Sequence, residues 1–399
     1  MLGTRSKGVV DPNFHTNVQG ASAAGLKVGA YIYSLATTPE MARAEADFVL
    51  SLVKDYPISF PIAFDAEDSA TLGTLPPAQV SEVINAFCQR IADAGYYPIV
   101  YANDYWLSNK IDLSNMHYDI WVARYEAKHV YANPIMWQVT STGSIDGITG
   151  NVDIDFLYKD LTPKLPGNMW RTIGGKTYYY QNYSIQKNAW INDGSGWFYL
   201  NEDGEMATDV VVEYNDNYYY VDENGAMAAN KWVSVENEDY DGGDDDDEEP
   251  MNHWYYFGSN GKAYKSSTTG NSASFKTING KKYIFDDEGK MLYGWIDDSG
   301  DRVTGDDKWR DGIYYCGDEN DGAQRVGQWE YLDIVDNSYD SAVEVGVSSD
   351  NLFDDEDQTR YFYFKTNGKK MTDEKGKTIN GRKYSFDSDG RMNAEWVNW

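Results

Sequence analysis

Two stretches of this chain, Lys276 to Trp295 (KTINGKKYIFDDEGKMLYGW) and Lys377 to Trp396 (KTINGRKYSFDSDGRMNAEW), can be laid over each other at an offset of 101 residues, from position 276 to position 377. Internal repetition takes precedence over any other reading of the region that contains it. Shorter variants of the unit recur: Gly196-Trp197-Phe198-Tyr199 followed by Gly204-Glu205-Met206, Tyr218-Tyr219-Tyr220 by Gly225-Ala226-Met227, Trp254-Tyr255-Tyr256-Phe257 by Gly261, and Tyr361-Phe362-Tyr363-Phe364 by Gly368. Each reads as an aromatic strand, a polar turn with Asp or Asn before Gly, and a return, which is a β-hairpin pattern. A single hairpin is marginal in water, so the units must stack on one another.

The composition changes sharply near residue 166, and 399 residues leave room for two or more domains. A formal net charge of -30 argues against nucleic acid and anionic membrane surfaces as partners and favours neutral or cationic ones. The two cysteines, Cys88 and Cys316, give no disulfide framework. The four histidines (His15, His117, His129, His253) are dispersed, without metal-ligand spacing, and no cofactor is expected. The acidic run Glu236 to Glu249, with Asp244 to Asp247, reads as a solvated loop; calcium is the less favoured alternative, since no loop has the sixth-position Gly of an EF-hand. No 18-residue apolar stretch is present, and Met1 to Val10 lack the apolar core of a signal peptide. Either a signal was removed with more of the N-terminus, or the protein leaves the cell by another route.

Before residue 166 strands alternate with helices: Val28 to Ser34, helix Glu40 to Tyr56, Phe60 to Phe64, helix Ala78 to Ala94, then Pro98 to Ala102. That order implies a parallel sheet covered by helices. In the second helix Val80, Val83, Ile84, Phe87, Cys88 and Ile91 keep one face, and Gly95 stands where a helix ends in the left-handed region, so Cys88 reads as core. Thr37 and Glu40 read as a capping box for the first. Three further apolar runs, Tyr118 to Ala123, Ile135 to Thr140 and Val152 to Tyr158, leave no room for long helices between them, as in a barrel whose last strands are joined by loops.

Functional groups of such barrels gather at the C-terminal ends of the strands. Here those ends carry Tyr31 and Tyr33, Asp65 and Glu67, Tyr101 and Asn103, Trp121 and Tyr125, Trp137 and Gln138, and Asp153 and Asp155. Asp65 and Glu67 are two apart and point to one side. An unpaired carboxylate at the end of the apolar run Phe60 to Phe64 costs several kcal/mol or shifts its pKa upward, which favours acid/base chemistry. A helix N-cap is the structural alternative; it accounts for Asp68 and leaves Glu67 unexplained. Rings around carboxylates suit a carbohydrate, whose C–H faces stack while its hydroxyls bond to acids and amides. Trp121 and Trp137 could equally fill the barrel. A glycosidase needs one protonated acid for the leaving oxygen and one anion for the oxocarbenium carbon. If the sugar's own N-acetyl group attacks instead, Asp65 orients and polarises that amide, and the sequence leaves both routes open.

Asp11-Pro12-Asn13-Phe14, Gly20-Ala21, Ala24 to Tyr31 (AGLKVGAY), Phe64 to Asp68 (FDAED), Tyr101-Ala102-Asn103, Trp121-Val122-Ala123, Met136-Trp137-Gln138 and Gly150 to Asp153 (GNVD) resemble the motifs of family 25 glycoside hydrolases, the Chalaropsis-type lysozymes. The resemblance runs from about residue 8 to 161. It implies hydrolysis of the β-1,4 bond between N-acetylmuramic acid and N-acetylglucosamine in peptidoglycan, with Glu67 as general acid, Asp65 its partner carboxylate and Asp153 a further carboxylate. Tyr31, Tyr33, Tyr101, Trp121, Trp137 and Gln138 are then expected to bind substrate. The family normally opens with a strand carrying an Asp, a Trp-Gln-Gly, a helix and a second strand, all absent here. The expectation is an α/β barrel lacking its first strands, with exposed edges.

From about Trp170 to Trp399 the hairpin units resemble the choline-binding and glucan-binding repeats of bacterial cell-wall proteins. In that family rings of adjacent hairpins cage a quaternary ammonium by cation–π attraction, worth roughly 0.5–2 kcal/mol per contact. The resemblance makes Trp197, Tyr199, Trp254, Tyr256, Trp295 and Trp396 the candidate ligand rings; hairpin core is the alternative for each. The expected organisation is a hydrolase barrel over 1–162 and an all-β array of wall-binding hairpins over 163–399. The expected protein is a secreted or wall-associated muramidase, with peptidoglycan and a choline-bearing teichoic acid or glucan as partners. The competing expectation is a non-catalytic choline or glucan binder with a degenerate barrel.

Overall fold

A computed structural model describes residues 9–125, 127–240, 250–266, 272–335 and 357–396. The acidic segment Asp244 to Asp247 lies outside the described residues. The chain divides into two compact units, Met1–Ala207 and Thr208–Trp399.

In the first unit α1 (Phe14–Ala23) precedes a half-barrel sheet. Its six strands are β1 (Ala30–Tyr33), β2 (Ile62–Asp65), β3 (Pro98–Asn103), β4 (Asp119–Ala123), β5 (Met136–Gly143) and β6 (Val152–Leu157), hydrogen-bonded in that order. β1 to β5 run parallel, whereas β6 returns antiparallel to β5. The reason is length: a parallel crossover takes a dozen or more residues, and the link between Gly143 and Val152 is too short for one. The crossover helices are α2 (Pro39–Val53), α3 (Pro77–Asp93) and the short α4 (Asp104–Asn109).

Thr38, not Thr37, caps α2: its Oγ1 accepts the Met41 N–H at 3.3 Å, with Pro39 at the first helical position, where proline's fixed φ is favourable. The stripe of α3 is buried as its spacing requires, and Gly95 follows with φ +79. Cys88 lies fully inside, and burial pushes its thiol pKa far above the usual range, which leaves it inert. Alternation divides the sheet. Ile32, Ile62, Phe64, Val100, Ile120 and Val122 meet the helices, while Ala63 and Ile99 join Tyr31 and Trp121 on the other face.

Entry into β1 is tight. A Cβ on Gly29 would lie 2.5 Å from the Pro61 carbonyl oxygen and 3.2 Å from the Phe60 Cβ, just where the Ala30 N–H donates to that carbonyl. Gly29→Ala should therefore destabilise the first unit by about 2 kcal/mol through forced separation of β1 and β2. Calorimetry checks this: an unshifted melting transition would mean that the strands part freely.

The array begins within the first unit as a three-stranded sheet of β7 (Met169–Ile173), β8 (Lys176–Gln181) and β9 (Ser184–Ile185), then a hairpin of β10 (Ala189–Asn192) and β11 (Trp197–Leu200). The first sheet seats on the helices: the Tyr180 hydroxyl donates to the Lys54 carbonyl at 2.6 Å, and the Arg171 guanidinium lies 4.2 Å from the ring centres of both Tyr96 and Tyr180.

The second unit continues with the pairs β12 (Val210–Tyr214) and β13 (Asn217–Val221), β14 (Lys231–Glu236) and β15 (Asn252–Phe257), and β16 (Lys276–Ile278) and β17 (Lys281–Tyr283). Next come β18 (Trp295–Ile296) and β19 (Tyr314–Tyr315), with the short α5 (Lys308–Asp311) between them, then β20 (Gln328–Val335) and β21 (Asp357–Phe364). A three-stranded sheet of β22 (Glu374–Ile379), β23 (Arg382–Phe386) and β24 (Met392–Trp396) ends the array.

One polar turn recurs through the array. Asn201, Asp222, Asp286 and Asp387 each accept two backbone N–H groups two and four residues ahead at 2.8–3.1 Å, and the glycine three residues on has positive φ. The chain then bridges back, pairing Leu200 with Met206, Val221 with Met227 and Phe285 with Met291. Return residues also stitch neighbouring hairpins. The Met206 N–H donates to the Thr177 carbonyl at 2.7 Å, that of Met291 to Trp254 at 2.7 Å, and that of Lys370 to Ile313 at 2.8 Å.

Candidate active site

Asp65 is the last residue of β2, and the in–out alternation that buries Ile62 and Phe64 against the helices turns its side chain to the concave face. It is 8% exposed, and its buried Oδ1 has no hydrogen-bond partner among the described residues. Burial, then the charge of Glu67, raises its pKa from near 3.8 to about 8.

Glu67, half-buried just past the strand, is held by the end of β3. Its Oε1 accepts the backbone N–H of Asn103 at 3.0 Å and the Asn103 Nδ2–H at 2.5 Å, while Asn103 Oδ1 caps α4 through the Trp106 N–H at 3.1 Å. Burial raises the Glu67 pKa, and the Asn103 bonds oppose that rise. Oε2 makes no hydrogen bond among the described residues, so this oxygen has no competing partner. Asp68 does a different job: its Oδ1 accepts from Ala70, Thr71 and the Thr71 hydroxyl, closing the turn after β2. The capping alternative thus describes Asp68 and leaves Asp65 and Glu67 to the concave face.

The other strand ends surround this pair. Tyr31 is raised by burial, then by Asp65, Asp153 and Asp11, which places it among those carboxylates. Tyr33 donates to Asp68 Oδ2 at 3.2 Å and is pushed up to about 12 by burial and that charge. The Tyr101 and Tyr125 hydroxyls both donate to the buried Gln138 Oε1, at 2.7 and 2.6 Å. Trp121 packs edge-on to Tyr101 with ring centres 4.7 Å apart, and its Nε1–H donates to Asp155 Oδ1 at 2.7 Å. Asp153 lies two residues before Asp155 on β6, exposed, and its charge helps raise Asp155 after the crowding of the surrounding protein. Below the carboxylates a cavity of about 340 Å³ opens between Tyr31, Ala63, Ile99, Trp121 and Met136, giving the concave face an apolar floor.

Trp137 stands apart. It pairs in register with Val122, so its ring is on the helix side of the sheet, 5.3 Å from His129 and 5.9 Å from Phe156, with Nε1–H donating to the Arg124 carbonyl at 2.9 Å. Asn103, Tyr125 and Asp155 were visible only as strand-end residues; the same odd–even alternation that sets Trp137 aside brings them to the concave face. Among the described residues no group of three or more His, Cys, Asp and Glu is placed to hold a metal, and no helix is long and apolar enough to cross a membrane.

Among the described residues of the array five tryptophans face a tyrosine directly across their hairpin: Trp170 and Tyr179, Trp190 and Tyr199, Trp232 and Tyr256, Trp295 and Tyr315, and Trp329 and Tyr363, with ring centres 5.0–5.2 Å apart. The next unit adds rings: Trp232 meets Tyr283 at 4.8 Å and Phe285 at 5.8 Å, and Trp329 meets Tyr384 at 4.8 Å and Phe386 at 5.6 Å. Tyr256 and Trp295 belong to such clusters and Tyr199 to a cross-strand pair. Trp197 is 45% exposed on β11, and Trp254 bonds to Asn320 at 3.3 Å. Trp396 ends β24, and its side chain lies outside the described residues. Trp232 and Trp329 escaped the sequence reading because their partners lie beyond interposed segments.

Residues 3–148 match the model of the glycosyl hydrolases family 25, residues 187–232 a choline-binding repeat and residues 251–263 a cell wall binding repeat. An autolytic lysozyme of Clostridium acetobutylicum is 26% identical over 147 residues, covering 36% of this chain and 44% of that protein. A D-alanyl-L-alanine endopeptidase of Streptococcus phage B30 is 32% identical over 127 residues, 28% of each chain. The chain thus spans less than half the length of these two curated relatives. A solved structure of the modular Cpl-1 endolysin with a peptidoglycan analogue aligns over 92% of this chain and 85% of that one, at 17% identity and a TM-score of 0.32. Residues 3–148 are a family 25 glycosyl hydrolase domain, and choline-binding-type repeats follow it.

Proposed function

We propose that the protein is a muramidase that cleaves the β-1,4 bond between N-acetylmuramic acid and N-acetylglucosamine in peptidoglycan while its repeats hold it on the wall. The observation that carries this reading is the paired, partly desolvated Asp65 and Glu67 on the concave face of a domain of this family. Glu67 acts as general acid: its Oε2 gives a proton to the glycosidic oxygen as the bond from C1 breaks and the electron pair leaves on that oxygen. Asp65 faces the positive charge that develops at C1 and its neighbouring acetamido group; water then adds at C1 and gives its proton to the Glu67 carboxylate, which restores the acid. Asp153 adds negative potential from β6, and the rings of Tyr31 and Trp121 offer stacking faces to the sugars.

The test is the chemistry of the new ends. Gram-positive walls digested by the protein and reduced with borohydride should yield muramitol. Glucosaminitol would mean the other glycosidic bond, and new amino groups an endopeptidase. Wall binding with no new ends from a folded protein would favour the non-catalytic reading.

For the repeats, we propose ammonium sites at the clusters of Trp232, Tyr256 and Tyr283 and of Trp329, Tyr363 and Tyr384, where rings of adjacent hairpins converge and stay half-buried. A net charge of -30 favours a cationic ligand, so choline on a wall polymer is preferred to a neutral glucan. Trp232→Ala and Trp329→Ala should each weaken choline binding about tenfold, corresponding to loss of one or two cation–π contacts. Elution of wall-bound protein by millimolar choline measures it; elution by soluble glucan instead would transfer the role to a neutral sugar. The reading places the protein outside the cell, on the wall.

A further inference from the structure

One aromatic junction of the array is built differently from the others. Where Trp170 meets Phe198, Trp232 meets Tyr283 and Trp329 meets Tyr384, the tryptophan keeps partial exposure. Among the described residues no cation lies over Trp232 or Trp329. At the fourth junction, where Trp295 meets Phe362 at 5.2 Å, the tryptophan is only 3% exposed.

Two features close it. The segment between β18 and β19 carries Trp309 on α5, fully buried beside Phe362 at 6.2 Å with its Nε1–H donating to the Val335 carbonyl at 2.9 Å. In addition Lys370, paired with Phe364 at the return position that Met227 and Met291 hold in their own turns, is 4% exposed. Its ammonium lies 5.3 Å from the Trp295 ring centre and donates to the carbonyl oxygens of Trp309 and Arg310, the latter at 3.1 Å.

A buried ammonium is costly unless its donors and charge are satisfied. Here the satisfaction comes from two carbonyl dipoles and the negative face of an indole, which are the features that hold a free ammonium at an aromatic site. Desolvation pulls the Lys370 pKa down to about 8, with Asp389, Asp387 and Asp311 opposing, so the group still carries its proton at neutral pH.

We propose that Lys370 is a tethered ammonium occupying the aromatic site of the Trp295 junction, so that this junction takes no external ligand and clamps its hairpins whether or not the wall polymer is bound. The inference rests on the reading of these junctions as ammonium sites. It divides the array into open positions that answer to ligand and one position filled by the chain itself.

Calorimetric titration of the full chain with choline chloride tests it, comparing wild type with Lys370→Ala, Lys370→Met and Lys370→Arg. The first two should each bind one more equivalent than wild type, and Lys370→Arg, which keeps a cation on the stem, none. Unchanged stoichiometry in a Lys370→Ala or Lys370→Met variant with native circular dichroism, zero in both proteins included, overturns the proposal. Choline binding by the variants but not by wild type would support it while removing the ligand reading of the other junctions. If neither variant folds, acetylation of native wild type decides: Lys370 should react at least tenfold more slowly than Lys281, whose side chain is 62% exposed, and equal rates would overturn the occupancy.

Discussion

Glu67→Gln is expected to lower the release of reducing ends from peptidoglycan about a thousandfold, within the range for loss of a general acid, while wall binding and the circular dichroism spectrum stay unchanged. The glutamine oxygen can accept the same two Asn103 bonds that Glu67 Oε1 accepts. The amide then takes the place of Oε2, which has no partner to lose, so the fold has little reason to respond. What disappears is the transferable proton. A variant that retained most of the activity would remove Glu67 from the acid role and send attention to Asp65. Asn103 sharpens the same test. It is a positioning residue whose Nδ2–H and backbone N–H hold Glu67 Oε1 and oppose the rise of its pKa, so Asn103→Ala should move the alkaline limb of the pH–rate profile, where the acid loses its proton, upward as well as reduce kcat. A change in kcat with an unmoved profile would leave it only the cap of α4.

Much of this site was legible because strand alternation is strict. The spacing of Asp65 and Glu67 and the apolar run before them already suggested a carboxylate pair facing one side; in the structure Asp65 ends β2 near Tyr31 and Tyr33, and Glu67 follows just past the strand, near Tyr33. The same rule, applied to register as well as to each strand alone, separates Trp137 from Gln138, since neighbours along a strand face opposite ways. Helix α3 was equally plain, as its buried residues are those of a 3.6-residue period. Less accessible was the long-range pairing of the array. Trp232 lies on β14 and Trp329 on β20, and their partners Tyr256 and Tyr363 follow only after long intervening stretches. A hairpin signal depends on a short turn, so each second strand could be recognised while its first strand was overlooked. The Lys370 ammonium was invisible for a related reason. A lysine at a return position reads as surface until the segment carrying Trp309 is folded over it.

Asp65→Asn should raise the stability of the first unit by an amount that grows with pH. In the folded protein Asp65 holds its proton up to about pH 8, against an ordinary value near 3.8, so between those values the folded state binds more protons than the unfolded chain. Stability must then fall as pH rises through that window. The stabilising effect of the proton is fully present below the lower value and gone above the higher one. Asparagine cannot ionise and is close to the same size, so it escapes the loss. The variant and wild type should melt nearly together near pH 4 and diverge toward pH 8.5, where the gap approaches roughly 6 kcal/mol, from about 1.4 kcal/mol per unit of pKa shift. Following the first unit's transition by calorimetry at both pH values measures this. Catalysis should move the other way, since the group that destabilises the empty site when ionised is the one the reading assigns to the positive charge at C1. A variant that is more stable at pH 8.5 and severely impaired in cleavage would tie the cost of burying Asp65 to its use. One with the same pH dependence as wild type would mean that Asp65 ionises freely in the folded protein and that its buried Oδ1 finds a partner in solution.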